Sequence, residues 1–190
     1  MSLRRRQAWA GLGLLVLVSA PPLRGLFESR MTLHMLLQIP ALALAGYLLA
    51  ASLPVAARRW LQRCNAHGLS GWTYASLALA FWMLPRALDE AVESPAVAGA
   101  KLLVVLAAGL AIRLSLQASA LVVQLFFLGN WAWMTATAGL LYVETPLRLC
   151  NAYLLDDQAL TGYGLIVQAL AVPMLWWRLH GKALGAAAAG

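Results

Sequence analysis

The residues best placed for chemistry are four that recur at helical spacing. Met31, His34, Met35 and Gln38 stand at i, i+3, i+4 and i+7, so they share one face of a helix. Thioether and imidazole side chains are the ligands that soft cuprous copper prefers. Met83 and Met134 fall toward the same end of their own apolar stretches. Met31, His34, Met35 and Met83 are therefore the expected metal set, with cuprous copper as its ion. A plainer role stays open for each. Methionine is an ordinary filler of apolar helices, and a single histidine also serves to hydrogen-bond a neighbouring helix.

A second polar group follows later in the chain. It runs Glu144-Thr145-Pro146-Leu147-Arg148-Leu149-Cys150-Asn151-Ala152-Tyr153-Leu154-Leu155-Asp156-Asp157-Gln158. Its middle is expected to form a short interfacial helix. Asp156 and Asp157 stand where the next helix begins, where a carboxylate caps free amides and suits the positive end of the helix dipole. Glu28, Arg30, Arg86, Glu90, Arg148, Asp156, Asp157 and Gln158 together form the expected polar rim, with a structural or partner-binding role. In it the arginines pair with the acids. Lys101 and Arg113 are expected to snorkel to opposite surfaces from one helix. Enzyme signatures are missing from the sequence. It has no Ser-His-Asp set, HExxH, nucleotide loop or phosphate-binding glycine run, so an enzyme is not expected. No haem is expected either, since only His34 lies within an apolar stretch.

Such groups need a solvent other than water around them. Of 190 residues, 62% are hydrophobic and 11% charged, and the mean hydropathy is +0.74. A soluble domain carries about 25% charged residues, so lipid is the expected surroundings of most of the chain. The net charge of +7 does not point to nucleic acid, because the basic residues punctuate apolar runs and form no patch. The expected fold is all-α, a polytopic membrane bundle of about six helices. Residues 1–182 form its single domain, and a low-complexity tail over 183–190 is expected to be disordered.

The spans are expected at Trp9–Leu23, Met31–Pro54, Leu69–Leu88, Ala96–Ile112, Ala118–Val143 and Ala159–Trp177. The first is read as uncleaved, because Pro21 and Pro22 follow its only small-residue exit. With the N-terminus inside, nine Lys and Arg fall inside and five outside, as the positive-inside rule requires. All seven acids then fall outside. Trp9, Trp60, Trp72, Trp176 and Trp177 are placed at inner ends and Tyr142, Tyr153 and Tyr163 at outer ends, as an aromatic belt. Cys64 and Cys150 lie on opposite sides, which excludes a disulfide between them.

Three stretches resemble the polytopic CtaG-type family of cytochrome c oxidase assembly factors, over about Glu28 to Val167. They are Arg30-Met31-Thr32-Leu33-His34-Met35-Leu36-Leu37 with Pro40; Phe81-Trp82-Met83-Leu84-Pro85 with Ala87-Leu88-Asp89-Glu90-Ala91; and Asp157-Gln158-Ala159-Leu160-Thr161-Gly162. The chain departs from the family at its histidines. Arg30 stands at the first of a pair, Met83 at another, and Ala98 and Lys101 occupy the next histidine-rich segment. A metal site is then either absent or rebuilt with methionines. The resemblance implies an accessory protein of the bacterial inner (plasma) membrane, embedded in the lipid bilayer. It would support assembly or copper loading of a respiratory oxidase or related membrane oxidoreductase complex at its outer, periplasmic face. A structural subunit of such a complex and, third, a small transporter are the other expectations.

Overall fold

The structure, a computed structural model, describes residues 2–188, with side chains to Leu179. All regular structure among the described residues is helical. Helix α1 covers Leu3–Ser19 and α2 covers Pro21–Glu28. Ala20 between them is extended, as the residue before a proline prefers, and the two helices bend by 67°. The expected first span therefore stops at Ser19, and α2 turns across the bundle end.

Helix α3, Met31–Ser52, holds a π-helical turn over His34–Gln38. Pro40 explains the turn. Its ring would collide with the carbonyl of Leu36 in a regular helix, and it has no N–H to give there. Widening the turn just before it relieves that clash. The short amphipathic helix α4, Val55–Cys64, follows, then α5, Leu69–Phe81. The span expected over Leu69–Leu88 is thus two helices. Extended Leu84 precedes Pro85, which opens α6, Pro85–Glu93, on a new axis. Helices α7, Pro95–Ala118, and α8, Leu121–Glu144, are 24 residues long each. After a loop, α9 runs Leu155–Ala188. The tail expected to be disordered over 183–190 lies, in its side chains and last two residues, outside the described residues.

Four helices, α3, α7, α8 and α9, are long and apolar enough to cross a membrane, and the bent α1–α2 pair would make a fifth. At 1.5 Å per residue, the 13 residues of α5 reach only about 20 Å, short of a hydrocarbon core near 30 Å. The chain is a multi-pass helical protein by this measure. Leu77, Leu103, Val122, Phe126, Trp133 and Val167 all point outward, as lipid-facing side chains do.

Helix α3 is central, packed between α1 and α7. Two glycines permit its closest contact. A Cβ on Gly46 would sit 2.0 Å from the Leu106 carbonyl oxygen, and one on Gly109 would sit 1.8 Å from that of Ala43. Small residues let helix backbones approach in lipid, where hydrophobic exclusion from water gives no drive. The main core lies toward the end that carries α2, α6 and the 145–154 loop, around Met31, Met35, Leu42, Trp82, Leu88, Tyr142, Tyr153 and Leu165. Tyr142 and Tyr153 are therefore core residues and not belt residues. Trp72 is also buried, stacked on Phe127 with centroids 5.9 Å apart. Trp9, Trp60, Trp177 and Tyr163 are exposed. The first prediction concerns this helix contact. Gly109→Val should lower stability by about 3 kcal/mol, read as a fall in thermal midpoint in detergent. Gly129→Ala, where a Cβ meets nothing within 4 Å, should leave the midpoint unchanged or slightly higher.

Candidate functional site

The site is built on the face read from helical spacing. Met31, His34, Met35 and Gln38 are all buried, with His34 fully so. Facing them from α7 is Lys101, 2% exposed. It does not snorkel to the surface. Its ammonium donates to Glu28 Oε1 at 2.7 Å, to His34 Nε2 at 2.6 Å and to Gln38 Oε1 at 3.0 Å. An ammonium has three donors and no acceptor, so all three of its N–H bonds are placed.

That count fixes the histidine as well. Lys101 can only donate, so Nε2 accepts and the ring is neutral, with its proton on Nδ1. Nδ1 then donates to the Tyr153 hydroxyl at 2.7 Å. Gln38 is oriented from its other end, where Nε2 donates to the Val18 carbonyl at 3.1 Å. Glu28 is shared between two cations, since Arg24 Nε donates to its second oxygen at 2.8 Å. The site is thus a continuous chain of Arg24, Glu28, Lys101, His34 and Tyr153, with Gln38 as a side arm.

The polar rim holds this site in place by routes that differ from those expected. Asp157 lies in the first turn of α9, but its carboxylate accepts from the backbone N–H groups of Met31 and Thr32 and from the Thr32 hydroxyl. It caps α3, which carries the histidine, across 126 residues of sequence. The 145–154 segment contains no helix, contrary to expectation. Gln158 and Asp89 organise it instead. Gln158 accepts from the Leu149 N–H and donates to the Tyr142 and Leu147 carbonyls. Asp89 accepts from the Asn151 and Ala152 N–H groups at 2.7 and 3.1 Å.

Of the rim arginines, Arg86 pairs with Glu90 on an exposed helix face, where such a pair contributes little. Arg148 donates to the backbone carbonyls of Asn151 and Tyr153 and to no acid. Arg30 and Asp156 are exposed. Arg113, half-buried, reaches the end of the bundle that carries Gln7. It donates to the Tyr47 carbonyl and to Gln7, and lies over the Tyr47 ring. Arg24, Asp89 and Lys101 are the partners that spacing did not single out for the site. Burial and then the Asp89 charge push the Cys150 thiol up to about 12, and burial and then the Glu28 charge push the Tyr153 phenol up. Both groups are protonated at neutral pH.

The proposed copper donors do not fit as a ligand set in this arrangement. Both His34 nitrogens are engaged, one of them by a cation. Met31 and Met35 pack in the apolar core, and Met83 sulfur faces the Thr135 hydroxyl at 3.9 Å. No family model, curated protein or solved structure matches the chain.

Two predictions follow from the geometry. Removing one partner of a buried pair strands the other charge, which costs about 3–5 kcal/mol. Glu28→Gln should therefore destabilise the protein strongly, and adding Lys101→Met should recover part of the loss. Thermal denaturation of the two single variants and the double variant in detergent measures the coupling. Independently, detergent-purified protein loaded anaerobically with cuprous copper should retain no His34-dependent metal. Near-stoichiometric copper that vanishes in His34→Ala would show instead that Lys101 and Tyr153 yield to the ion.

Proposed function

We propose that this chain is a non-catalytic accessory protein of a bacterial inner membrane. In this reading it crosses six times, with the bent α1–α2 pair and the short α5 each counted as a crossing and both termini inside, and it assists assembly of a respiratory oxidase or related membrane oxidoreductase at the outer face. The observation that carries the reading is the contrast between the two ends of the bundle. At the outer end, α2, α6 and the 145–154 loop are tied over a buried ionic cluster through Glu28, Asp89, Asp157 and Gln158. Around them the exposed charged residues are Arg30, Arg86, Glu90, Glu93, Glu144 and Asp156. A rigid, charged rim suits contact with a folded partner, where complementary charges set orientation and encounter rate.

The charge distribution supports the same orientation. Arg58, Arg59 and Arg63 lie on α4, at the end opposite the acids, as the positive-inside rule asks. Transport is the weaker reading. A substrate path through the polar centre would have to pass Lys101, whose three donors are all bonded, and the sequence carries no internal repeat of the kind transporters are built from. The motifs resembling the CtaG-type family point toward oxidase biogenesis specifically.

Deleting the gene should reduce the amount of assembled oxidase without this chain appearing in the mature enzyme. Stoichiometric retention of the chain in purified oxidase would make it a structural subunit, and undiminished oxidase in the deletion strain would remove the assembly role. Orientation has its own test. Cys64 is exposed and Cys150 buried, and Cys150 is also held as the unreactive thiol. A membrane-impermeant maleimide should therefore label Cys64 alone, and only after the cells are opened. Labelling of Cys64 in intact cells would invert the topology.

A further inference from the structure

The α8/α9 hairpin joins the rest of the bundle unevenly. Near the outer end, Gly139 and Gly162 bring its two helices together, and Asp157 and Thr161 tie α9 to Thr32 on α3. Toward the inner end it reaches α5 through the Trp72–Phe127 stack. Between these two attachments lies a cavity of about 290 Å³, walled by α3, α5, α7, α8 and α9. Met35, Trp72, Leu79, Trp131, Leu165 and Trp176 are among its walls, and its only polar side chains besides tryptophan are Ser76 and Gln168.

We propose that this cavity holds one acyl chain of an anionic phospholipid from the inner leaflet. The inference rests on the membrane topology proposed above and adds a ligand to it. Depth is the first argument. Along α9 the cavity starts at Leu165, ten residues or about 15 Å below Leu155, and ends at Trp176, a further 16 Å or so down. The hydrocarbon core is about 30 Å thick, so on α9 the cavity occupies the inner half, while on α3 it extends up to Met35 and beyond α5 to Met83. Lining is the second. A space of this size is at the lower end of ligand sites, and its walls give water almost no hydrogen-bond partners, so water does not fill it. Left empty, its walls would forfeit dispersion contacts on one side. A hydrocarbon chain restores them.

Charge is the third argument, and it selects the headgroup. Across Leu128 and Trp176 the cavity adjoins a shallower hollow that includes Pro173, Trp177 and Arg178. Arg178 is exposed at the inner end, where a guanidinium meets a lipid phosphate in bidentate fashion. Tryptophan at this level suits the boundary between chain and headgroup. One lipid can then lie with its chain between α5 and α9 and its phosphate at Arg178.

The test is native mass spectrometry of the purified full chain from micelles containing equal amounts of palmitoyl-oleoyl phosphatidylglycerol and phosphatidylcholine. The expected result is one retained phosphatidylglycerol per chain. Ser76→Phe, which fills the cavity from α5, should abolish retention. Arg178→Gln, on an exposed surface that folding does not need, should reduce the preference for phosphatidylglycerol about fivefold. Retention that is equal for both lipids in the natural chain, or unchanged in Ser76→Phe, would falsify the proposal. So would a retained mass matching an isoprenoid quinone. Carbonate extraction of the natural chain separates the two levels: release from membranes removes the topology itself, whereas a membrane-bound chain without phosphatidylglycerol removes only this site.

Discussion

A lysine ammonium at membrane depth must place all three N–H bonds within the protein, because lipid offers no acceptor. Lys101 does so with a carboxylate, an imidazole and an amide drawn from α2 and α3. The rest of the outer half is arranged around that requirement. Glu28 reaches the lysine only because α2 bends away from α1 at Pro21 and lies across the bundle end. His34 and Gln38, four residues apart on one helix face, reach it together from the π turn before Pro40. The histidine's remaining proton then fixes Tyr153, and Tyr153 brings the 145–154 loop down as a cover.

Stiffness is therefore distributed unequally along the bundle axis. At the end that carries α2 and α6, connecting segments are tied to others distant in sequence by carboxylates, Asp89 and Asp157 accepting backbone N–H groups and Glu28 the Lys101 ammonium. Charged acceptors make hydrogen bonds of the stronger kind, and low dielectric strengthens them further. Toward the inner end, contact rests on aromatic stacking and on apolar walls that do not meet. The same chain is thus a fixed surface at one end and an accommodating one at the other. A protein that touches a folded partner outside while accepting lipid inside would be built in this way.

Much of the fold was legible because its causes are local. Pro21, Pro85 and the runs of apolar residues set helix ends and apolar faces directly. The face of Met31, His34, Met35 and Gln38 was legible for the same reason, since helical spacing alone places them together. The site's other half was not. Lys101 lies 67 residues from His34, and spacing within α7 cannot distinguish a lysine that snorkels from one that turns inward. The available signal was depth. Lys101 stands six residues into α7 and His34 three into α3, so both lie within about 9 Å of their helix starts. Asp157 misled in a related way. Its position in a first turn fits a local cap, yet a carboxylate there can also reach the free amides of a neighbouring helix that starts at the same level.

The metal reading and the structure share a physical core, which is a converging set of lone pairs. Glu28 Oε1, His34 Nε2 and Gln38 Oε1 all point at one position, within 3.0 Å of it. Such a set would serve a bound cation, and here the position belongs to the Lys101 nitrogen. A tethered ammonium supplies the positive charge that the convergent lone pairs require, and a second cation in contact with it would be repelled. The methionines nearby are then left to pack. Their soft sulfur atoms explain why the face reads as a copper site, and the lysine opposite explains why its geometry is that of an ion-paired core.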